Sequence, residues 1–186
     1  MIAVRERTVV LRVANVPRRW EVIGGLCLLN GWRHGAELGV STGRFTTFLC
    51  GIALDMHMLA VDLWAPQPSN NVRTGAQTYA GWPFDEALEK FKAHNERWYP
   101  DRVKIMRMRT SEAAKLVEDG SLDFVFIDAD HSYEGALADI LDWTPKVRPG
   151  GMVSGHDYNW STVRQAVDET GHCKTGHDNV WWRINA

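Results

Sequence analysis

The stretch Leu122-Asp-Phe-Val-Phe-Ile-Asp-Ala-Asp-His131 decides the fold of this chain. Its apolar run, Phe124 to Ile127, is typical of a strand that is buried on both faces of a parallel sheet. The run ends abruptly in Asp128, Asp130 and His131. Because ligands of open α/β sheets bind at the carboxyl ends of the strands, these titratable side chains stand where chemistry is expected.

Outward from this strand, hydrophobic periodicity predicts helices and strands in alternation. Helices are predicted for residues 16–30, 45–52, 84–91, 133–141 and 163–170, and strands for residues 34–40, 58–63, 103–108, 122–129 and 152–155. Such alternation indicates the α/β class, with a doubly wound, mostly parallel, Rossmann-like sheet. Segments 172–175 and 180–184 predict a C-terminal antiparallel hairpin, and residues 148–151 predict a turn.

Length and composition are those of one globular unit. The chain has 186 residues, of which 45% are apolar and 24% charged. We expect residues 1–33 to form a small N-terminal cap and residues 34–186 to form the main domain. The proline- and glycine-containing segment 64–83 predicts a loop long enough to act as a lid over a site.

Charge and hydropathy argue against several function classes. A formal net charge of -2 provides no electrostatic footprint for nucleic acid. No apolar run approaches the roughly 20 residues that a membrane span requires, and the N-terminus lacks a signal-peptide core. Three scattered cysteines without metal-binding spacing suit a reducing compartment. We therefore expect a cytoplasmic protein that acts on a small molecule, without nucleic-acid or membrane partners, in which a homodimer remains open.

The first motif is Gly35-Ala-Glu37-Leu-Gly39-Val-Ser41-Thr42-Gly43, between the first strand and its helix. Gly39 would allow a tight turn and close backbone approach. Ser41 or Thr42 would cap the helix, whose N-terminal amides would then face a ligand carboxylate. The spacing differs from the Gly-x-Gly-x-x-Gly of dinucleotide-binding proteins. An ordinary turn between a strand and a helix explains this motif equally well on its own.

Acidic and imidazole side chains also end three further strands. Asp62 follows the glycines by about 20 residues, where an acidic residue commonly binds ribose hydroxyls; a helix cap and a solvated loop residue are the alternatives. Asp128 and Asp157 would converge from neighbouring strands and hold Mg²⁺ or Mn²⁺, with His156 as a further candidate ligand. His131 is a candidate general base, unless Asp130 or Ser132 merely caps the next helix and leaves His131 exposed.

Taken together, these motifs resemble class I S-adenosylmethionine-dependent methyltransferases. The segment from Leu122 to Gly135 is similar to the small bacterial branch labelled methyltransferase family 24. The resemblance implies that residues 34–186 form an S-adenosylmethionine-binding domain. It also implies cofactor contacts from two sets of residues: Glu37, Gly39, Ser41, Gly43, Asp62, Leu63 and Trp64, then Ser111, Glu112 and Asp128.

The resemblance further implies a reaction at the ends of the fourth and fifth strands. Asp128 corresponds to a metal-binding aspartate, and His131 occupies the position of the catalytic base. Asp157 matches a second metal ligand, but its neighbours are His156 and Tyr158, so a third carboxylate or amide ligand is missing.

The expected function is transfer of a methyl group to a hydroxyl of a small acceptor, with or without a metal. The alternatives are a nicotinamide-dependent oxidoreductase and a non-catalytic cofactor-binding protein on the same fold. Ser111 is also expected to cap the helix that follows the third strand.

Overall fold

The protein is described by a computed structural model for residues 18–65 and 81–186. The predicted loop 64–83 therefore lies largely outside the described residues. Residues 1–17, which include the start of the first predicted helix, lie wholly outside them. The helices are α1 (Arg19–Asn30), α2 (Arg44–Ile52), α3 (Phe84–Trp98), α4 (Thr110–Ala114), α5 (Tyr133–Trp143) and α6 (Ser161–Glu169). The strands are β1 (His34–Leu38), β2 (His57–Asp62), β3 (Val103–Arg107), β4 (Leu122–Ile127), β5 (Val147–Gly155), β6 (Lys174–Thr175) and β7 (Trp181–Ile184).

These strands form a seven-stranded sheet in the order β3-β2-β1-β4-β5-β7-β6. The pairs among β1 to β5 are parallel, whereas β7 runs antiparallel to β5 and to β6. The predicted fold class is therefore confirmed, including the antiparallel C-terminal edge. The order reverses between β1 and β4, which is the topological switch point where α/β proteins place their ligands.

The central strand β4 explains why the apolar run was a strong signal. Phe124, Val125 and Phe126 are fully buried, because β1 and β5 flank the strand and helices cover both faces of the sheet. Phe126 stacks on Phe45 of α2 with ring centroids 4.0 Å apart. Burying such side chains contributes about 1.5–3 kcal/mol each, so β4 is the main hydrophobic anchor of the sheet.

The predicted first helix is confirmed from Arg19 onward, and it ends at Asn30, directly before Gly31. Gly31 follows it with a φ of 68°, the left-handed C-terminal cap conformation that glycine adopts without strain. Gly24 lies on the buried side, where Leu49, Phe48 and Ile52 of α2 approach within about 3 Å of the space a Cβ would fill. This close approach joins α1 to the same core as the sheet, through Ile23 and Cys27.

Two helix starts differ from prediction. The N-cap of α2 is Gly43, with a φ of 75°, rather than Ser41 or Thr42. The first residue of α4 is Thr110, and Arg109 occupies the N-cap position, so Ser111 lies within the helix. The α2 helix therefore begins after the predicted caps Ser41 and Thr42, and the α4 helix begins before the predicted cap Ser111.

The predicted turn at residues 148–151 is instead part of β5, which begins at Val147. The pairing with β4 shifts register between Leu122 and Phe124, and this irregularity accommodates the proline and glycines within the strand. Gly151 packs so closely that a Cβ there would lie 2.4 Å from the carbonyl oxygen of Asp123. Glycine is needed at this position because the backbone of β4 lies so close. A glycine in the sequence is equally typical of a turn, so the sequence alone does not separate the two cases.

In the part of the chain that the structure describes, the helices are too short or too polar to cross a bilayer.

Candidate active site

Gly39 is the point at which three strand ends meet. Its N–H donates to the carbonyl of Val61 at 2.9 Å, and the N–H of Asp128 donates to the carbonyl of Leu38 at 2.8 Å. With a φ of 84°, Gly39 passes so close to β4 that a Cβ would lie 2.1 Å from the carbonyl oxygen of Asp128. The glycine is required for both its backbone conformation and the lack of a side chain.

Asp62 ties the loop after β2 to the loop after β1. Its Oδ2 accepts a hydrogen bond from the Ser41 N–H at 2.8 Å, and its Oδ1 accepts one from the Trp64 N–H at 2.7 Å. The Trp64 indole N–H in turn donates to the Ser41 carbonyl at 2.9 Å. The ring of Trp64 is buried against Phe91 of α3, so this tryptophan also pins its loop to the core.

A pocket of about 290 Å³ opens at this rim, beside the switch point. Seven of the residues predicted to contact a cofactor line it: Gly39, Ser41, Asp62, Leu63, Trp64, Ser111 and Asp128. The candidate base His131 lines it as well. A concave pocket in which several polar groups converge is typical of small-molecule sites.

Beside the pocket, which Asp128 lines and Asp157 does not, the two carboxylates converge as predicted, with His131 between them. The His131 Nε2 lies 2.7 Å from Asp157 Oδ2 and 3.6 Å from Asp128 Oδ1. One donor atom from each of the three side chains lies within 4.8 Å of the others. His156 lies on the other side of the carboxylates, with Nδ1 3.1 Å from Asp157 Oδ1 and 3.6 Å from Asp128 Oδ1, and is not a member of this trio.

The four side chains form one coupled electrostatic group. Burial raises the pKa values of both carboxyl groups, but interactions with His131 and His156 outweigh it and hold both values below their usual range. Burial likewise lowers the imidazole pKa values, yet the two carboxylates raise that of His131 to about 10 and that of His156 to about 9. The two carboxylates therefore favour the protonated form of both imidazoles.

The backbone at Asp157 has a φ of 55°, the left-handed region that few non-glycine residues adopt. Such a conformation costs of order 1–3 kcal/mol and persists only where surrounding structure imposes it. Here it turns the chain directly after β5, and the carboxylate reaches His131 and His156.

Arg19 of α1 is a functional candidate that the sequence reasoning missed. One of its guanidinium nitrogens lies 3.6 Å from Asp128 Oδ2, and the other lies 3.1 Å from the Nε2 of His156. Its backbone N–H donates to Asp178 Oδ2 at 3.0 Å, which places the start of α1 over the cluster. No local pattern marks this arginine, because the contact joins residues more than a hundred positions apart.

Several predicted cofactor residues do not line the pocket. Gly43 begins α2, where a Cβ would overlap the ring of Phe91. Glu112 accepts a hydrogen bond from the backbone N–H of Arg109 at 3.4 Å, at the start of α4. For both residues a cofactor contact stays a prediction, whereas the structure assigns them a local structural role.

Glu37 is also outside the pocket wall, buried below it with 3% of its surface exposed. Its Oε2 accepts hydrogen bonds from the backbone N–H of Thr46 at 3.1 Å and from the Thr46 hydroxyl at 2.5 Å. Burial is the main reason that the pKa of Glu37 is raised to about 8. The predicted contact of Glu37 with the cofactor therefore also stays a prediction.

Comparison with known proteins agrees with this geometry. Residues 36–158 match the family described as "Methyltransferase domain". A curated relative, the uncharacterized protein y4gI of Sinorhizobium fredii, is 28% identical over 123 residues, which cover 66% of this chain but only 12% of that protein.

Solved structures share the fold at low sequence identity. The O-methyltransferase NovP superposes with a TM-score of 0.67 at 16% identity, covering 90% of this chain and 79% of NovP. An O-methyltransferase from Bacillus cereus in complex with SAH gives a TM-score of 0.59 at 15% identity, covering 89% of this chain and 80% of that protein. Because the family match covers well over half of the sequence, the chain belongs to this family and is a class I S-adenosylmethionine-dependent methyltransferase.

Proposed function

We propose that this protein transfers the methyl group of S-adenosylmethionine to a hydroxyl of a small-molecule acceptor. The observation that carries this proposal is the convergence of Asp128, His131 and Asp157 beside the rim pocket. A hydroxyl must lose its proton as its oxygen attacks the methyl group, and this cluster offers groups that can hold and accept a proton. The likeness to two proteins named O-methyltransferases agrees with oxygen as the acceptor atom.

The cofactor would lie along the pocket across the ends of β2, β1 and β4. The ribose hydroxyls would meet Asp62, whose two oxygens each accept one backbone hydrogen bond and retain lone pairs for a ligand. Leu63 and Ser111 would flank the adenine, since both line the pocket. The reactive methyl group would then face Asp128 and His131.

The cluster also fits a divalent cation by the chemistry of its donors. Two carboxylates and one imidazole are available from Asp128, Asp157 and His131. This set suits Mn²⁺, and it suits Mg²⁺ less well because Mg²⁺ prefers oxygen to nitrogen ligands. Although it lies close to Asp157, the buried His131 Nε2 has no well-directed hydrogen-bond partner among the described residues. A bound cation would supply Lewis-acid polarisation of the acceptor hydroxyl. The predicted ligand His156 would then act from outside the trio.

In the cation-free site, His131 is the group that we propose accepts the hydroxyl proton, because a ring nitrogen that binds a cation cannot also accept a proton. The imidazole accepts a proton only in its neutral form, and the two carboxylates favour the protonated form. The base role therefore requires that other positive charge offset Asp128 and Asp157. Arg19, 3.6 Å from Asp128, provides only part of that charge, and the positively charged sulfonium of the cofactor would add to it.

The decisive experiment measures S-adenosylhomocysteine formation from S-adenosylmethionine and a panel of phenols and hydroxylated sugars, with and without Mn²⁺. We expect His131→Gln to retain calorimetric cofactor binding but to lower turnover by about 10²–10⁴-fold, the usual contribution of a general base. The matched control is His172→Gln, because His172 is an exposed histidine and should leave turnover unchanged. Equal turnover of His131→Gln and wild type would remove the base assignment.

Two alternatives are separated by the same measurements. Binding of the cofactor without product from any acceptor would favour a non-catalytic cofactor-binding protein. Binding of NADH in place of S-adenosylmethionine would favour an oxidoreductase, which the family match already argues against. A reducing, cytoplasmic location and a homodimer remain proposals that fractionation and analytical ultracentrifugation would test.

A further inference from the structure

The start of α6 contacts His131 at two points. The indole ring of Trp160, the residue directly before α6, lies against the imidazole of His131, with ring centroids 4.9 Å apart and the ring planes at 35°. The Thr162 hydroxyl donates a hydrogen bond to the backbone carbonyl of His131 at 2.6 Å. The same helix start therefore contacts both the side chain and the backbone of the candidate base.

The position of this helix start is fixed by the hydrophobic core and by β5. The helix has a buried apolar face at helical spacing, formed by Val163, Ala166 and Val167. The Trp160 N–H donates to the carbonyl of Asp157 at 2.9 Å, which closes a tight turn directly after β5. This turn brings the Asp157 carboxylate and the Trp160 ring to the same imidazole.

The orientation of the His131 ring depends on these neighbours. The outer side-chain torsion of histidine has a broad energy profile, so the torsion by itself does not fix the direction of the ring nitrogens. The side chain of His131 is 17% exposed, and the contacts with Trp160 and Asp157 restrict its rotation. Neither Trp160 nor Thr162 is part of the pocket wall that the described residues form. Both residues therefore reach the pocket through His131.

We propose that Trp160 and Thr162 are positioning residues, which hold the imidazole of His131 in the orientation from which it accepts the hydroxyl proton. This inference rests on the proposed function, because the orientation matters only if His131 is the base. In that step the acceptor oxygen bonds to the methyl carbon, the bond from this carbon to sulfur breaks to leave S-adenosylhomocysteine, and the hydroxyl proton passes to the imidazole. A base must lie within hydrogen-bond reach of that proton, and a misplacement of about 1 Å can lower the rate by ~10²-fold.

The test measures kcat and the KM for S-adenosylmethionine, in EDTA, with the phenol or sugar that gives the fastest wild-type turnover. We expect Trp160→Leu to lower kcat by about 10- to 100-fold at unchanged KM. Trp160→Phe keeps an aromatic ring against the imidazole and should stay within about threefold of wild type. Thr162→Val should lower kcat several-fold, whereas Thr162→Ser keeps the hydroxyl and should not. The matched control is Trp98→Leu, at an exposed tryptophan of α3, which should leave kcat unchanged.

A double variant shows whether Trp160 acts through His131. In the His131→Gln background, Trp160→Leu should lower kcat by less than about twofold further, because the group that it positions is already absent. The full loss in that background, or wild-type kcat in Trp160→Leu, would overturn the inference. If Trp160→Leu does not fold, equal kcat values for Thr162→Val and Thr162→Ser would overturn it. In these cases a slow His131→Gln leaves the proposed function standing, whereas wild-type kcat in His131→Gln would remove the base assignment itself.

Discussion

Replacing Gly39 with alanine should damage the protein far more than the same change at another left-handed glycine. Alanine in this backbone region costs about 1–2 kcal/mol. At Gly39 the new Cβ would also lie 2.1 Å from the carbonyl oxygen of Asp128, which is backbone and cannot rotate away. Overpacking of this kind adds about 1–3 kcal/mol. We therefore expect Gly39→Ala to lose about 2–5 kcal/mol of unfolding free energy.

Gly31 provides the matched control. Its φ of 68° is also left-handed, but nothing lies within 4 Å of the position of a Cβ there. Gly31→Ala should thus lose only the backbone contribution, about 1–2 kcal/mol. Urea unfolding followed by tryptophan fluorescence would measure both variants, at a pH where wild type unfolds in a single transition.

The same substitution should affect function through Asp128. Relief of the overlap would push β1 and β4 apart at the rim, which moves Asp128 relative to His131. We expect S-adenosylhomocysteine binding to weaken by at least tenfold in Gly39→Ala and to stay unchanged in Gly31→Ala. Equal losses of stability in the two variants would refute the reasoning, because the overlap with β4 would then cost nothing.

Three further predictions concern the charges and caps around the site. Folding raises the pKa of Glu37 from 4.5 to about 8, so between these values the folded protein holds a proton that the unfolded chain has released. The free energy of unfolding should therefore fall as the pH rises from 5 to 8. Glu37→Gln should flatten that slope in urea titrations at three pH values, and an unchanged slope would contradict the assignment. Arg19→Gln removes a cation beside Asp128 and should tighten calorimetric Mn²⁺ binding several-fold, whereas Arg18→Gln, with the same loss of charge at an exposed neighbour, should not. Ser132→Ala removes the side-chain cap of α5 and should cost about 1 kcal/mol of stability; a loss of cofactor affinity beyond twofold would show a further role.

Much of the fold followed from patterns that are local in sequence. The apolar run of β4, the helical spacings and the glycine after α1 each depend on a few neighbouring residues. These features depend on side-chain burial and backbone conformation within a short segment, so the sequence pattern alone could predict them. The turn expected at residues 148–151 was wrong because glycine and proline mark both turns and tight packing against a neighbouring strand.

The sequence predicted which side chains of the candidate site lie at the rim of the sheet, but not the distances between them. Asp62, Asp128 and Asp157 could be placed at one rim, because the carboxyl ends of parallel strands share an edge of the sheet. The sequence did not reveal that His131 would lie 2.7 Å from Asp157.

The chain by itself thus determined which residues end buried strands, and hence which acidic and imidazole groups reach the rim. Only the tertiary structure decided that β4 lies between β1 and β5, that Arg19 of a distant helix lies 3.6 Å from Asp128, and that Asp139 is buried in the pocket wall. The physical reason is that strand order and helix docking depend on contacts between residues far apart in the chain, which no local periodicity encodes.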